Sequence, residues 1–289
     1  MLAIYKRELK SYFQSMIGYV FIAFFLLIIG FVFSYINIQQ GTPFIGYTLQ
    51  YAYVTVVFMI LVPIITMKIL ADEKRLKTDQ LLFTAPITVT KIVMGKFLAV
   101  VTVFCIPMAV VAFYPFFLTV FGSVPLPSSY VAVLGFFLMG LSYLSIGLFV
   151  SSLTESQIIS AVGTFGILLI SFTMSSLINI ISSAAITSFI ALLAIAAILV
   201  LVYYMMTKNV KYSVILFVIA EGVISVLYAV KSSWFESLIQ KIMMVLSLND
   251  HFEKFVGGIF DLTAVVYYIS VIVFFLFLTV QSIQKRRWS

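Results

Sequence analysis

The chain has 289 residues, of which 63% are apolar and only 9% are charged. A soluble domain is nearer half apolar and a quarter charged, so this composition excludes water as the main solvent and indicates an integral membrane protein. The formal net charge of +7 is explained by the basic loops of a membrane topology, and no nucleic acid is expected as a partner. The sequence lacks the alternating pattern of a membrane β-barrel, which predicts an all-α bundle of transmembrane helices.

The amino-terminal segment, residues 1–15, is the first predicted element. Apolar and aromatic side chains such as Tyr5 and Tyr12 fall on one helical face, and basic side chains such as Lys6 fall on the others. This pattern is typical of an interfacial helix that lies flat on an anionic leaflet.

Eight long apolar stretches follow, and each is long enough to cross a hydrocarbon layer of about 30 Å as a helix of about 20 residues. Polar residues make the stretch 157–212 patchy, so a bundle of six spans, with part of this stretch re-entrant or interfacial, is the alternative. The eight predicted spans lie near residues 17–36, 51–70, 97–121, 130–150, 157–180, 186–206, 213–230 and 260–283.

The basic residues predict the orientation of these spans, because short cytoplasmic loops retain Lys and Arg. With the amino terminus inside the cell, fourteen of the seventeen Lys and Arg residues fall on the cytoplasmic side. An even number of spans returns the basic carboxyl-terminal tail to the same side. The polar block at residues 231–259 is then an extracytoplasmic segment of one or two short helices.

Chemical motifs are sparse in this sequence. Gly95-Lys96 is the nearest approach to a phosphate-binding loop, but Phe97 follows where the motif requires Ser or Thr. The single histidine, His251, is interpreted as part of a solvated polar loop rather than as a metal ligand. We therefore predict that this chain has no catalytic residue, no bound cofactor and no metal site, and that it does not hydrolyse ATP.

Glu221 is the one acidic residue that this topology places inside a span. Burying a charged carboxylate in hydrocarbon is costly, so Glu221 is an intramembrane candidate for function. A protonated or hydrogen-bonded carboxyl, or a span boundary that leaves Glu221 near the interface, are the alternatives. A functional Glu221 would favour an ion-coupled secondary transporter.

Residues 72–96 form a dense run of charged residues between the second and third spans. Residues 72–83 contain good helix formers, Thr84-Ala85-Pro86 interrupts the helix, and Val89 resumes it into the third span. This pattern predicts a cytoplasmic elbow whose apolar tip either docks on a protein or lies on the lipid headgroups. The tip consists of Leu81, Leu82, Phe83, Ala85, Pro86 and Ile87.

Four stretches resemble a known family. The segments DQLLFTAPIT at 79–88 and KIVMGKF at 91–97 are similar to the coupling-helix region in the membrane subunits of type-two ABC exporters. SSLTESQ at 151–157 is similar to the second cytoplasmic turn of the same subunits. The carboxyl-terminal stretch 249–288, from NDHFEK to KRRW, resembles the ending of the branch that includes the gliding-motility permeases.

The resemblance implies that residues 1–289 form a single transmembrane permease domain of an ABC exporter in the bacterial cytoplasmic membrane. It also implies a dimer, with a second copy or a sister permease, on ATP-binding subunits that hold ATP and Mg²⁺. At Lys77 and Gln80 the chain departs from the family, which commonly has Gly and Glu there. The residues expected to couple to the ATPase are Glu73, Arg75, Leu81, Leu82, Phe83, Ala85, Pro86, Ile87 and Glu155.

A membrane assembly factor without transport activity is a further alternative, and residues 231–259 would be its functional part. The sequence does not indicate a substrate, because an apolar cavity wall suits lipids, peptides and drugs alike.

Overall fold

Helices make up the regular structure of this protein. A computed structural model describes residues 1–78, 87–178 and 180–288, and within these ranges it contains helices and no strands. The α-helices, in chain order, are α1 Leu2–Gln14, α2 Ile17–Phe33, α3 Ile45–Gln50, α4 Ala52–Thr66, α5 Lys68–Arg75, α6 Val89–Leu118, α7 Leu126–Leu153, α8 Gln157–Ile178, α9 Ala185–Thr207, α10 Val210–Val230, α11 Leu238–Leu246, α12 Leu248–Val256 and α13 Leu262–Trp288. A π-helix, Ser34–Gln39, continues α2, and a 3-10 helix, Ser232–Phe235, precedes α11. The prediction of an all-α fold is confirmed.

Eight helical segments in these ranges are long and apolar enough to cross a membrane, judged by length and composition. Each predicted span falls on one of them, so the count of eight is confirmed in preference to six. The side of the membrane on which the termini lie stays a prediction. The eight segments are Ile17–Gln39, Ala52–Arg75, Val89–Leu118, Leu126–Leu153, Gln157–Ile178, Ala185–Met205, Val210–Val230 and Leu262–Arg286.

The third of these helices begins earlier than the predicted span boundary at residue 97. α6 begins at Val89, where the sequence predicts that the helix resumes after the proline break. Its 30 residues extend over about 45 Å, which exceeds the roughly 30 Å hydrocarbon layer. Lys96 therefore lies inside a continuous helix, two turns from its start, rather than in a connecting loop.

The chain divides into two compact units, and the first contains residues 1–170 and 249–289. Aromatic rings fill the core of this unit. The ring of Phe58 lies 5.3 Å from that of Phe104 and 5.6 Å from that of Tyr143, measured between centroids. Gly140 of α7 faces the same cluster, and a Cβ atom there would lie 2.4 Å from the Phe104 ring. A glycine at this position lets α7 pack closely against the aromatic core.

The second unit contains residues 171–248, and α9 and α10 pair within it as a hairpin. The rings of Phe189 and Tyr228 stack at 4.4 Å between centroids. Gln240 of α11 donates from Nε2 to the carbonyl oxygen of Ile181 at 2.7 Å. The short helix α11 is thereby fastened to the connection that precedes α9.

The region around His251 corrects one expectation, because it is not a solvated loop. The chain forms α12 there, with Phe252 and Phe255 fully buried, and the His251 ring stacks on that of Tyr267 at 3.7 Å between centroids. The two phenylalanines are three residues apart and share one helical face. Burial of this apolar face stabilises a packed helix despite the polar residues between them. In the part of the chain that the structure describes, no group of three or more His, Cys, Asp or Glu side chains is arranged to hold a metal ion.

Candidate functional site

Lys96 is a fully buried lysine near the start of α6. Its Nζ atom lies 3.1 Å from Glu8 Oε1 of α1 and 2.9 Å from Glu73 Oε1 of α5, and it donates to the carbonyl oxygen of Ile69 at 2.9 Å. A lysine ammonium has three donors, and these three partners satisfy them. Burial of the charge is tolerated because it is paired on two sides.

Arg7 of α1 contributes a second cation to the same two carboxylates. Its Nη2 atom lies 2.6 Å from Glu8 Oε1 and 2.5 Å from Glu73 Oε1. Arg7, Glu8, Glu73 and Lys96 are called the charge cluster below, and its two cations balance its two carboxylates. Burial raises the pKa of Glu8, but the charge of Lys96 and the hydrogen bonds from Arg7 and Lys96 outweigh burial, so the pKa is lowered. Glu8 is therefore ionised at neutral pH.

Helix α1 is fastened to the spans beside the charge cluster. Tyr12 is buried and donates from Oη to the carbonyl oxygen of Ile65 at 2.8 Å. The hydroxyl oxygens of Tyr5 and Thr102 lie 3.0 Å apart, and Ile4 is also buried. One face of α1 is thus packed on α4 and α6, so that a displacement of these helices reaches α1 as well.

The first turn of α5 is capped by a side chain from α7. No side chain at the start of α5 makes a capping hydrogen bond. Instead, Ser151 Oγ accepts from the backbone N–H groups of Leu70 at 3.2 Å and Ala71 at 3.1 Å, and donates to the carbonyl oxygen of Met67 at 3.1 Å. Backbone donors in the first turn of a helix lack partners within the helix, so Ser151 does what a local N-cap residue does elsewhere.

Further hydrogen bonds join α5 to the turn between α7 and α8. Lys74 donates from Nζ to the carbonyl oxygen of Ser152, and Gln157 donates from Nε2 to Asp72 Oδ1. Ser282 of α13 donates to the same Ser152 carbonyl oxygen at 3.1 Å. The base of the predicted elbow and the predicted second turn are therefore connected into one face.

The residues predicted to couple to an ATPase fall at several places on or near this face. Glu73 belongs to the charge cluster, and Arg75, at the end of α5, is mostly exposed. Glu155 lies between α7 and α8, with its Oε1 atom 2.9 Å from Arg286 Nη2. Ile87 is half-buried just before α6. The remaining five, which the structure does not describe, are Leu81, Leu82, Phe83, Ala85 and Pro86.

Glu221 lies at the middle of α10, in the second unit, and its side chain is half-buried. Within residues 1–78, 87–178 and 180–288 it has no hydrogen-bond or ion-pair partner. Its role as an intramembrane candidate stays a prediction.

Sequence reasoning missed Lys96, Arg7 and Ser151 as site residues. The sequence does contain a signal at Lys96, because this charged residue stands among apolar neighbours. Burying such a charge is costly, so the lysine requires a partner of opposite charge. Arg7 and Glu73 are 66 residues apart in the chain, and Ser151 is one of several similar serines. No local pattern predicts which residues meet over such separations.

Comparison with known proteins gives one family. Residues 33–230, which are more than half of the chain, match the family described as ABC-2 family transporter protein. Neither a curated protein nor a solved structure matches the chain.

Proposed function

Since the chain belongs to the ABC-2 family transporter proteins, we propose that this permease subunit of an ABC transporter is the membrane part of an exporter. A separate subunit binds ATP and Mg²⁺ and drives it. The permease forms the substrate pathway as a dimer, with a second copy or a sister permease, in the bacterial cytoplasmic membrane. The ending at residues 249–288 supports a relation to the gliding-motility permease branch.

The observation that carries this proposal is the set of connections made by α5. On one side, α5 is joined to α7 and α8 through Ser151, Ser152 and Gln157. On the other side, Glu73 joins it to α1 and α6 through the charge cluster. A force applied to the elbow is therefore shared by several helices, as a lever for an external motor requires.

The mechanism follows from these connections. Closure of the ATP-binding subunits on ATP displaces the elbow. α5 transmits this displacement because the hydrogen bonds and ion pairs that join it to other helices on both sides are directional. Packed helices have few alternative arrangements, so they tilt as a group rather than deform one by one. The tilt changes the pathway at the dimer interface, while ATP hydrolysis takes place on the partner.

The test of this function uses the apolar tip of the elbow. Buried interface anchors often contribute about 2 kcal/mol or more, whereas exposed ion pairs usually contribute under about 1 kcal/mol. Leu82→Asp and Phe83→Asp should therefore release the ATP-binding subunit or uncouple its hydrolysis from the permease, and Lys77→Ala should have a much smaller effect. The measurements are co-purification of the ATPase with tagged permease and ATPase rates in nanodiscs.

Val120→Asp is the matched control, because it introduces the same carboxylate at an exposed position just beyond the far end of α6. It should leave partner binding unchanged. Full partner binding and full transport in both tip variants would contradict the proposal. That result would indicate that the elbow lies on the lipid headgroups.

A further inference from the structure

A cavity of about 470 Å³ lies between α1 and α5. Its wall includes Ser11 and Ser15 from α1, Ile17 from the start of α2, and Lys68 and Asp72 from α5. Small-molecule sites in proteins commonly have volumes of about 300 to 1,000 Å³, so this cavity is large enough for a ligand.

The cavity lies where the sequence changes between polar segments and apolar spans. Ile17 is the first residue of the first candidate span. Lys68 is the first charged residue after the apolar helix α4, and the polar helix α5 begins with it. Lysines near such boundaries extend their ammonium group toward the headgroups, which favours a position of the cavity near the lipid phosphates.

Two cations, Arg7 and Lys68, and three carboxylates, Glu8, Asp72 and Glu73, line the cavity. Lys96 and Arg75 lie outside the lining and pair with these carboxylates, so that among the described residues Lys68 is the cation left without an anion. The charge cluster contains two cations and two carboxylates. Asp72 Oδ1 lies 3.0 Å from Arg75 Nη2, which balances that carboxylate. Lys68 is half-buried and has no hydrogen-bond or ion-pair partner within the described ranges. A half-buried ammonium without an anion is unfavourable, so the cavity suits a ligand with one negative charge.

We propose that this cavity binds the phosphodiester of a membrane phospholipid headgroup, with Lys68 as its counter-charge. A phosphodiester carries a single negative charge, and its oxygens accept the charge-assisted hydrogen bonds that an ammonium donates. The hydroxyl group of Ser11 supplies a neutral donor in the same wall. A lipid bound there holds α1 against α5 at the edge of the membrane. This inference does not depend on the proposed transport function.

The test is lipid retention by the purified full-length protein, measured by native mass spectrometry after delipidation and titration with dioleoyl phosphatidylglycerol. Lys68→Ala should weaken lipid binding about tenfold, because one charge-assisted hydrogen bond contributes that much or more. Lys68→Arg keeps the charge and should retain binding. Lys10→Ala is the matched control, since Lys10 is an exposed lysine of α1 that does not line the cavity, and its removal should leave affinity within about twofold.

Two further arms identify the ligand chemistry. Dioleoylglycerol has the same acyl chains without the phosphodiester and should not bind. Inorganic phosphate, added at the concentration of the lipid, should not displace phosphatidylglycerol. Equal lipid binding by Lys68→Ala and the unsubstituted protein would overturn the site, and displacement by inorganic phosphate would overturn the assignment to lipid.

Discussion

Lys96 is a cation whose position is set by partners from two other helices. Its ammonium group touches Glu8, Glu73 and a backbone carbonyl group, and none of its surface reaches solvent. Replacing a whole buried ion pair by apolar groups is often nearly neutral, but removing one member leaves an uncompensated charge. The charge cluster is therefore sensitive to single substitutions and tolerant of balanced ones.

Lys96→Met should destabilise the protein by about 3 kcal/mol, because Glu8 and Glu73 would then share only Arg7. The measurement is thermal unfolding of the purified protein in detergent. Lys91→Met is the control, since Lys91 is exposed on the first turn of the same helix. Adding Glu8→Gln to Lys96→Met restores charge balance and should recover part of the loss. Equal stability of the Lys96 and Lys91 variants would show that the cluster does not hold these helices together.

Lys77 occupies a backbone conformation that favours glycine. Its φ is +55°, and two hydrogen bonds close the end of α5 around it, from Thr78 N–H to the Glu73 carbonyl oxygen at 3.0 Å and from Lys77 N–H to the Lys74 carbonyl oxygen at 3.2 Å. This pair of bonds defines a Schellman motif with Lys77 at the left-handed position. The resemblance described above implies Gly at this place, and the positive φ is a physical reason for that expectation.

Lys77→Gly should stabilise the protein by up to about 1 kcal/mol, because a residue with a Cβ atom is strained at this φ. Thermal unfolding in detergent measures the effect. Thr78→Gly is the control, since Thr78 follows directly but has no positive φ, and glycine should bring no gain there. A Lys77 variant less stable than the unsubstituted protein would mean that the lysine side chain contributes more than the strain costs.

At the scale of secondary-structure elements, α5 is a short helix held by others. It has eight residues, too few for a helix to be stable alone in water. Its first turn depends on Ser151, and its last turn depends on the bonds around Lys77. Because both ends of α5 are fixed, its orientation follows the end of α7 closely.

Ser151→Ala should destabilise the protein by about 1 to 2 kcal/mol, because it leaves the buried N–H groups of Leu70 and Ala71 without their acceptor. Ser152→Ala is the matched control. Among the described residues the Ser152 hydroxyl group bonds locally, donating to the carbonyl oxygen of Phe149 at 2.6 Å, and the Ser152 carbonyl oxygen that accepts from Lys74 is retained in the variant. Hydrogen exchange should show α5 opening faster in the Ser151 variant alone. Equal exchange in both variants would contradict the capping role.

The sequence predicts the elements themselves better than their contacts. Apolar length and the requirement that lipid-embedded backbone satisfy its own hydrogen bonds are sufficient to predict eight helices. Proline and the charged run predict that the chain breaks near residue 86 and resumes at Val89. By contrast, Ser151 is one of many serines, and its choice as a cap depends on how α7 packs on α4. The burial around His251 was missed, because the polar local composition indicates a solvated loop, whereas Phe252 and Phe255 are buried.

At the scale of the whole molecule, eight candidate spans and the distribution of basic residues agree on one topology. Eight crossings bring both termini to the same side, and positive residues cluster in the loops of that side. The uneven distribution of Lys and Arg predicts that the elbow, the charge cluster and the loop at Lys208 lie on the cytoplasmic side. The proposed docking of an ATP-binding subunit requires this orientation, because ATP is available in the cytoplasm only.

Cysteine labelling tests the orientation directly. In a Cys105→Ala background, single cysteines replace Lys77 and Lys208, which are expected inside, and Val120 and Glu236, which are expected outside. All four side chains are exposed in the structure. Protection from an impermeant thiol reagent in intact cells therefore shows that the membrane blocks the reagent, and not that the side chain is buried. Cysteines at 120 and 236 should react, and those at 77 and 208 should react only after permeabilisation. Four spans separate Lys77 from Lys208, so labelling at 208 with protection at 77 would require an odd number of crossings and would overturn the eight-span arrangement.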